Sequence, residues 1–186
     1  MFEMFDMLME PTKKFVMGGI DAFRKSKEHQ NLMIAVQDRI RREVRFNSAL
    51  LQEFKKHDKN TNTPKYDKEL RSALLKSLRT EAFDDVNQGM LPLTLFFEAE
   101  LDKDDIFLNW AKQDRYLDWL RNVITQYDLL ERIYHRIRLV KTFAECGEIQ
   151  GDMDYIHFML IGLEKSIANT NIIYPVKLTD SSNNEK

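Results

Sequence analysis

The stretch HQNLMIAVQDRIRREVRFNSALLQEFKKH, residues 29–57, decides the fold class because its apolar side chains recur at intervals of three and four residues. The members of this seam are Met33, Val36, Ile40, Val44, Leu51 and Phe54, with Asn47 at one position among them. This spacing predicts one long helix whose apolar face packs against other helices or a partner. Asn47 either fixes the register with a neighbouring helix or bonds to a turn or a water molecule.

A second helix is predicted on the C-terminal side of that stretch. Residues 58–64 have the composition of an exposed turn, and Pro64 precedes or opens the next helix. This helix runs from about Tyr66 to Asn87, and Gly89 is suited to end it. Its apolar stripe comprises Leu70, Ala73, Leu74, Leu78 and Phe83.

A third helical region begins near an acidic cluster and keeps helical spacing to about Cys146. The cluster comprises Asp102, Asp104 and Asp105. Carboxylates suit a helix N-terminus because they accept hydrogen bonds from its free N–H groups. Residues 102–146 therefore form either one very long helix or two helices joined near residues 122–127.

A turn and a last helix are predicted beyond Cys146. Gly147 and Gly151 mark the turn, and Asp152 caps a helix that ends near Ala168. The apolar residues of this helix are Ile156, Met159, Leu160, Leu163 and Ile167.

The chain divides by composition into three parts. Residues 1–28 form an amphipathic segment interrupted by Pro11, for which we expect a dimer or membrane contact. Residues 29–170 form the helical bundle. Residues 171–186 form an extended tail whose last part has a disordered composition.

The composition favours an all-α fold, an elongated antiparallel bundle of long helices with an extended C-terminal tail. The 186 residues include only 6 Gly and 4 Pro, while 43% are hydrophobic and 31% are charged. Such a chain has long regular elements joined by few turns, and its length can bury a substantial core.

Charge and cysteine content limit the classes of partner. The formal net charge of -2 gives no global field that attracts nucleic acid or an anionic membrane. Cys146 is the single cysteine, which excludes an intrachain disulfide and favours a reducing compartment. No window approaches the roughly 18 apolar residues of a membrane span. We therefore expect a cytoplasmic protein.

Three histidines have a carboxylate one helical turn away. The pairs are Glu53 with His57, Glu131 with His135, and Asp154 with His157. Metal sites in helical bundles use such pairs, but di-metal carboxylate sites need Glu-x-x-His elements, and the chain has none. We expect solvated ion pairs here, with no metal and no cofactor.

Two short motifs resemble those of helical hydrolases. His29 with the dipeptide His57-Asp58 resembles, in spacing, the opening of the HD-type phosphohydrolases, which are all-helical metal enzymes. Arg121-Asn122 resembles the start of the HEPN ribonuclease signature, whose histidine would fall near Gln126 or Tyr127. The resemblances imply an alternative function, namely a metal-dependent phosphohydrolase or a degenerate HEPN-like ribonuclease. The catalytic candidates would be His29, His57, Asp58, Glu131 and His135.

Two basic stretches are candidates for a binding site. Arg39 and Arg42 lie on the first long helix, and Arg132 and Arg136 lie on a later one. If the two helices lay side by side, these arginines would form one phosphate-binding strip. Acidic residues are interspersed in both stretches, which favours cross-helix ion pairs over nucleic-acid binding.

Aromatic residues concentrate between positions 107 and 127. Trp110, Leu117, Leu120 and Ile124 follow helical spacing, which predicts core packing. A tryptophan left outside that core would be an interface anchor.

The order of features resembles a loose class of uncharacterised bacterial all-helical interaction or sensing domains. The residues that carry the resemblance lie at 42–51, 78–83 and 127–130. The resemblance implies a helical interaction or sensing module. The long apolar stripes, the Met- and Phe-rich ends and the lack of a complete catalytic set lead us to expect a non-enzymatic protein–protein interaction module that forms homo-oligomers. Phe2, Phe5 and Met9 are the expected interface residues, because Phe and Met give large adaptable apolar contacts. Peripheral membrane contact through residues 1–28 is the alternative use of that segment.

Overall fold

The structure, a computed structural model, describes residues 19–20, 22–58, 64–88, 92–107 and 113–172. The helices are α1 (Lys27–Asp58), α2 (Pro64–Lys76), α3 (Glu81–Asn87), α4 (Lys103–Ile106), α5 (Gln113–Trp119), α6 (Gln126–Glu145) and α7 (Met153–Ile172), with a short 3₁₀ helix at Leu93–Leu95. The described part has no β-strand beyond a single bridge between Glu100 and Thr125. The protein is therefore all-α, as predicted.

Four helical arms form an antiparallel bundle with α1 as its longest member. α1 packs against α2 and α7, and α6 packs against the same two helices. Arg45 pairs with Glu164, while Lys55, further along α1, pairs with Asp154, so α1 and α7 run in opposite directions. At about 1.5 Å per residue, the 32 residues of α1 extend for about 48 Å. The predicted elongated bundle is thus observed, with α1 and α6 at opposite corners.

The predicted seam of α1 forms the centre of the core. Val36, Ile40, Val44 and Leu51 are fully buried, as the spacing of the 29–57 stretch predicted. Asn47 in the same seam is also fully buried. The bounds of α1 differ from the prediction by two residues at its start and one at its end.

The second predicted helix is broken in two, which corrects the single helix expected from Tyr66 to Asn87. The Asn47 side chain donates to the carbonyl of Arg79 (2.8 Å) and accepts from its N–H (2.7 Å). A carboxylate oxygen of Glu43 accepts from the N–H of Ala82 (2.8 Å), in the first turn of α3. These bonds satisfy backbone groups that a continuous helix would have paired internally.

The burial of α2 also differs from the prediction. Ala73 is exposed, whereas Leu75, which was not assigned to the stripe, is fully buried. The Ser72 hydroxyl, on the same helix, donates to the carbonyl of Ala144 on α6 (3.2 Å). The face of α2 that meets α6 is therefore rotated from the one that the leucine spacing indicated.

Capping residues decide between the two alternatives for residues 102–146, one very long helix or two helices joined near residues 122–127. Thr125 and Asp128 form a capping box that starts α6 at Gln126. Burial alone would raise the pKa of Asp128, but hydrogen bonds from the N–H groups of Thr125 and Ile124 outweigh it and lower that pKa. The joint near residues 122–127 is confirmed, and the part before it contains the short helices α4 and α5.

Three helix ends lie at the residues that the sequence predicted. The Asp102 carboxylate accepts from the N–H of Asp105 (3.2 Å) at the start of α4. Asp152 accepts in the same way from the N–H of Tyr155 (3.0 Å) at the start of α7. Gly147, just beyond the end of α6, has a φ of 79°, a conformation that favours glycine.

Residues 101–107 and 113–120 form an additional layer on the outer side of α7. Phe107 stacks on Phe158 with ring centres 4.1 Å apart and lies directly over Gly162. Because helices cover α7 on both sides, residues 155–160 are buried without interruption. Leu120 is buried as predicted, but Ile124 is 59% exposed, since the chain turns there into α6. Trp110 lies outside the described residues.

Candidate functional site

A groove lies between the C-terminal half of α6 and the first turns of α7. Its volume is about 340 Å³. The residues that line it are Trp119, Arg132, Arg136, Leu139, Val140, Phe143, Gly151, Asp152, Tyr155 and Ile156. Aliphatic, aromatic and guanidinium groups thus share one concave surface, a composition typical of binding sites.

One face of α6 supplies the floor of the groove. Arg132, Arg136, Leu139 and Phe143 are spaced at i, i+4, i+7 and i+11, which places them along a single side of the helix. Leu139 is 44% exposed and lies beside other apolar groups of the groove. Arg132 and Arg136, the two candidate binding residues on α6, therefore lie next to apolar surface.

Aromatic side chains form the wall opposite α6. The Trp119 ring meets the Tyr155 ring edge to face, with centres 4.9 Å apart. The Arg115 guanidinium carbon lies 4.4 Å from the centre of the Trp119 ring. Trp119 is half-buried and packs against the core, so an anchor role for a tryptophan at an interface stays a prediction.

Two charged residues that line the groove, Arg132 and Asp152, already have hydrogen-bond partners within the protein. Arg132 donates to the carbonyl of Trp119 and to the hydroxyl of Tyr155 (3.3 Å). Asp152 caps α7 and accepts from the Tyr116 hydroxyl (3.2 Å). Burial and the Asp152 charge raise the pKa of Tyr116, so its hydroxyl stays a donor.

Two other arginines beside the groove remain open to a partner. Arg136 is exposed, and no carboxylate among the described residues pairs with it. Arg115 is also exposed, and its guanidinium lies against the Trp119 ring. The groove therefore presents positive charge beside apolar surface.

The arginines of α1 do not join those of α6 in one strip. Arg39 binds Asp85 of α3, and Arg42 binds Asp38 within α1. Since α1 and α6 lie at opposite corners of the bundle, the side-by-side arrangement that the strip required is absent. Both arginines form ion pairs, as the interspersed acidic residues indicated. The pair of Arg39 joins two helices, and the pair of Arg42 lies within α1.

His29 and His57 lie at the two ends of α1. At about 1.5 Å per residue they are about 40 Å apart along the helix axis, so one ion cannot bind both in a single chain. This separation corrects the metal site suggested by the HD-type spacing. The side chains of His57 and Asp58 lie outside the described residues.

His29 has a structural environment. Its ring packs between Phe23 and Phe96, with centre distances of 5.1 and 5.9 Å. Its Nε2 atom lies 3.3 Å from the carbonyl oxygen of Leu95. These contacts hold the start of α1 against the segment that contains Leu95 and Phe96.

The other histidine–carboxylate pairs do not converge. Glu131 accepts from the Tyr127 hydroxyl (3.3 Å), and His135 is exposed on α6. His157 is buried at the other end of the bundle, where the Lys55 ammonium lies 3.0 Å from its Nδ1. Among the described residues, no three His, Cys, Asp or Glu side chains could together hold a metal ion.

The position of the HEPN histidine is occupied by a core residue. Gln126 is fully buried, and its side-chain nitrogen donates to Ser166 (2.8 Å) and Thr170 (2.9 Å). Tyr127 donates to Glu131 (3.3 Å). Gln126 thus joins α6 to α7, and Tyr127 bonds within α6, so both side chains have structural roles.

A buried carboxylate in the bundle interior is a feature that sequence reasoning missed. Glu43 accepts from the Tyr134 hydroxyl and from the N–H of Ala82. Burial raises its pKa above the usual value near 4.5, despite the opposing effect of these bonds. The signal in the sequence was its position one residue before Val44 and four before Asn47, on the flank of the seam.

A second hollow on α2 has about 490 Å³ but a different character. Its lining consists of Lys68, Glu69, Ser72, Ala73, Lys76 and Gly147. These lining residues are mostly solvated and include no aromatic side chain. The groove at Leu139 is therefore the better binding site.

The expected interface residues Phe2, Phe5 and Met9 lie outside the described residues. No family model matches this chain, and no curated protein or solved structure matches it either. Within the described ranges, no helix combines the length and the apolar composition needed to cross a membrane.

Proposed function

We propose that this protein is a non-enzymatic helical interaction module that self-associates through the groove between α6 and α7. The observation that carries the proposal is the exposed apolar and guanidinium surface around Leu139. Half-buried Trp119 supplies a large ring beside it, supported from behind by the buried Tyr155 ring, and tryptophan is among the side chains that dominate binding energy at interfaces. The bundle would thus serve as a rigid frame for one partner-binding face.

The groove is better suited to a protein segment than to nucleic acid. Nucleic-acid sites need a continuous run of unpaired cations along the phosphate path. Arg39 and Arg42 are held in ion pairs, which leaves the cations near the groove as a short patch. The exposed side chain of Leu139 and the half-buried ring of Phe143 favour an apolar partner surface.

A reducing compartment fits this module. Cys146 is exposed at the end of α6, and it forms no disulfide. An exposed free thiol persists where glutathione keeps thiols reduced, so we place the protein in the cytoplasm. The resemblance to bacterial helical interaction domains agrees with that placement.

Light scattering coupled to size-exclusion chromatography tests the proposal. The full chain should show a molar mass above the 22.1 kDa of one copy, and the mass should fall on dilution. Leu139→Asp should weaken association at least about tenfold, because a carboxylate would be desolvated in the apolar contact.

Ile34→Asp is the matched control, because Ile34 and Leu139 are both 44% exposed on helices. It should leave association unchanged, and thermal unfolding should show that both variants remain folded. A monomer at all concentrations would contradict self-association. Equal effects of the two substitutions would contradict the groove as the interface.

A further inference from the structure

We propose that residues 2–10 of a second copy occupy the groove between α6 and α7, in a reciprocal exchange between two chains. This inference rests on the proposed function and names the partner of its site. The occupant is a segment that lies outside the described residues, and its sequence is FEMFDMLME.

The sequence of this segment predicts an amphipathic helix with two neighbouring stripes. Phe2, Phe5 and Met9 are spaced at i, i+3 and i+7, which puts them on one helical face. The acids Glu3, Asp6 and Glu10 have the same spacing, one position later. Since successive residues are about 100° apart, the acidic stripe runs directly beside the apolar one.

The groove has the complementary pair of surfaces. Leu139, Phe143 and Trp119 offer apolar contact, and Arg136 offers an exposed guanidinium group within the groove. Arg115 adds a second positive charge beside the groove, where its guanidinium lies against the Trp119 ring. A short amphipathic helix laid along an apolar groove is a common mode of peptide recognition.

The balance of charge favours this occupant. Asp152 is the carboxylate of the groove, and it is already engaged in capping α7 and in accepting from Tyr116. A segment with three carboxylates would meet Arg115 and Arg136, and charge complementarity of this kind sets orientation and partner choice.

The choice of a second copy over the same chain follows from the proposed self-association, and the connecting chain is long enough for either arrangement. Arg24 pairs with Glu98 (2.7 Å), and Ala99 bonds to the N–H of Gln126, so the described N-terminal part lies near the start of α6. Leu139 is about 20 Å further along that helix. Residues 11–18 reach at most about 29 Å, which is longer than this distance along the helix, so the double variant described below is needed to separate exchange between chains from folding back within one chain.

Disulfide trapping tests this exchange on the full chain. In a Cys146→Ser background, Met9→Cys protein is mixed with an equal amount of Leu139→Cys protein and mildly oxidised. Mass spectrometry then quantifies the linked peptides that contain positions 9 and 139. A mixture of Met9→Cys with Ile34→Cys is the matched control, since Ile34 has the same exposure as Leu139.

The expected result is at least about tenfold more linkage to position 139 than to position 34, because docking raises the local thiol concentration. Equal linkage at the two positions would overturn the inference. A double variant, Met9→Cys with Leu139→Cys, should link between chains. Linkage confined to single chains would place the segment on its own groove and would also overturn the exchange.

Failure of this inference can be told from failure of the proposed function. If Leu139→Asp dissociates the oligomer but position 9 does not link to position 139, the groove is an interface with another occupant, and the exchange is wrong. If the wild-type chain is a monomer at every concentration, both proposals are wrong.

Discussion

Glu43 and Tyr134 join opposite corners of the bundle, because the tyrosine hydroxyl on α6 donates to the carboxylate on α1 across the core. The second carboxylate oxygen accepts from the N–H of Ala82, so Glu43 also caps α3 from a neighbouring helix. Burial raises the pKa of Glu43 and of Tyr134, which keeps the hydroxyl protonated as a donor. One side chain thus ties three helices together.

Glu43→Gln should flatten the pH dependence of stability in mildly acidic solution. A carboxyl whose pKa is raised by folding contributes stability below its unfolded pKa, near 4.5, and loses it as pH rises through the folded pKa. Urea unfolding from pH 4.5 to pH 7.5 measures the slope. Exposed Glu69→Gln is the control, and an unchanged slope in Glu43→Gln would refute the role of this carboxyl.

Asn47→Ala should lower the free energy of unfolding by about 2 to 3 kcal/mol, because the N–H and the carbonyl of Arg79 lose their partners. The control is Asn169→Ala, whose side chain bonds to Asp105 at the surface (3.1 Å) and should cost less than about 1 kcal/mol. Chemical denaturation compares the two. Equal losses of unfolding free energy in the two variants would contradict the importance of the Asn47 bonds to Arg79.

Gly162→Ala should weaken the packing of Phe107 on α7. An added Cβ would overlap Cε1 of Phe107, which forces that ring to move, at a cost of about 1 to 3 kcal/mol. In Phe107→Ala protein the same substitution should cost much less. A double-mutant cycle on the free energy of unfolding measures the coupling between Gly162 and Phe107. Additive effects of the two substitutions would contradict a direct clash between the added Cβ and the ring.

His157 should make the protein sensitive to acid. Burial and the Lys55 charge lower its pKa to about 4, from an ordinary value near 6.5. The folded state therefore disfavours the imidazolium, and stability should fall by about 3 kcal/mol between pH 6.5 and pH 4. His157→Gln should remove this loss in acid titrations followed by circular dichroism, whereas exposed His135→Gln should retain it. If both variants behave like wild type, another group causes the acid sensitivity.

The helices were predictable wherever one apolar face and its caps were local in sequence. The seam from Val36 to Phe54, the start of α6 at Thr125 and the Asp152 cap all depend on residues within a few positions of one another. The break between α2 and α3 was not predictable in this way. It depends on Glu43 and Asn47, whose partners lie more than 30 residues away.

The candidate site was only partly accessible from sequence. Arg132 and Arg136 were identified as candidates, but their neighbours Trp119 and Tyr155 come from other helices. Periodicity assigns a residue to a face of its own helix, and it does not say which helices meet. For the same reason it could suggest His29 and His57 as partners, although one straight helix holds them apart.

The most direct test of the account is the reactivity of position 139 as the protein associates. In a Cys146→Ser background, the rate of maleimide labelling of Leu139→Cys is compared at low and at high protein concentration, with Ile34→Cys as the reference. The account predicts that association covers the groove, so the rate at position 139 falls at least about fivefold while the rate at position 34 stays constant. A rate at position 139 that is independent of concentration, in a chain whose mass shows that it self-associates, would contradict the central claim.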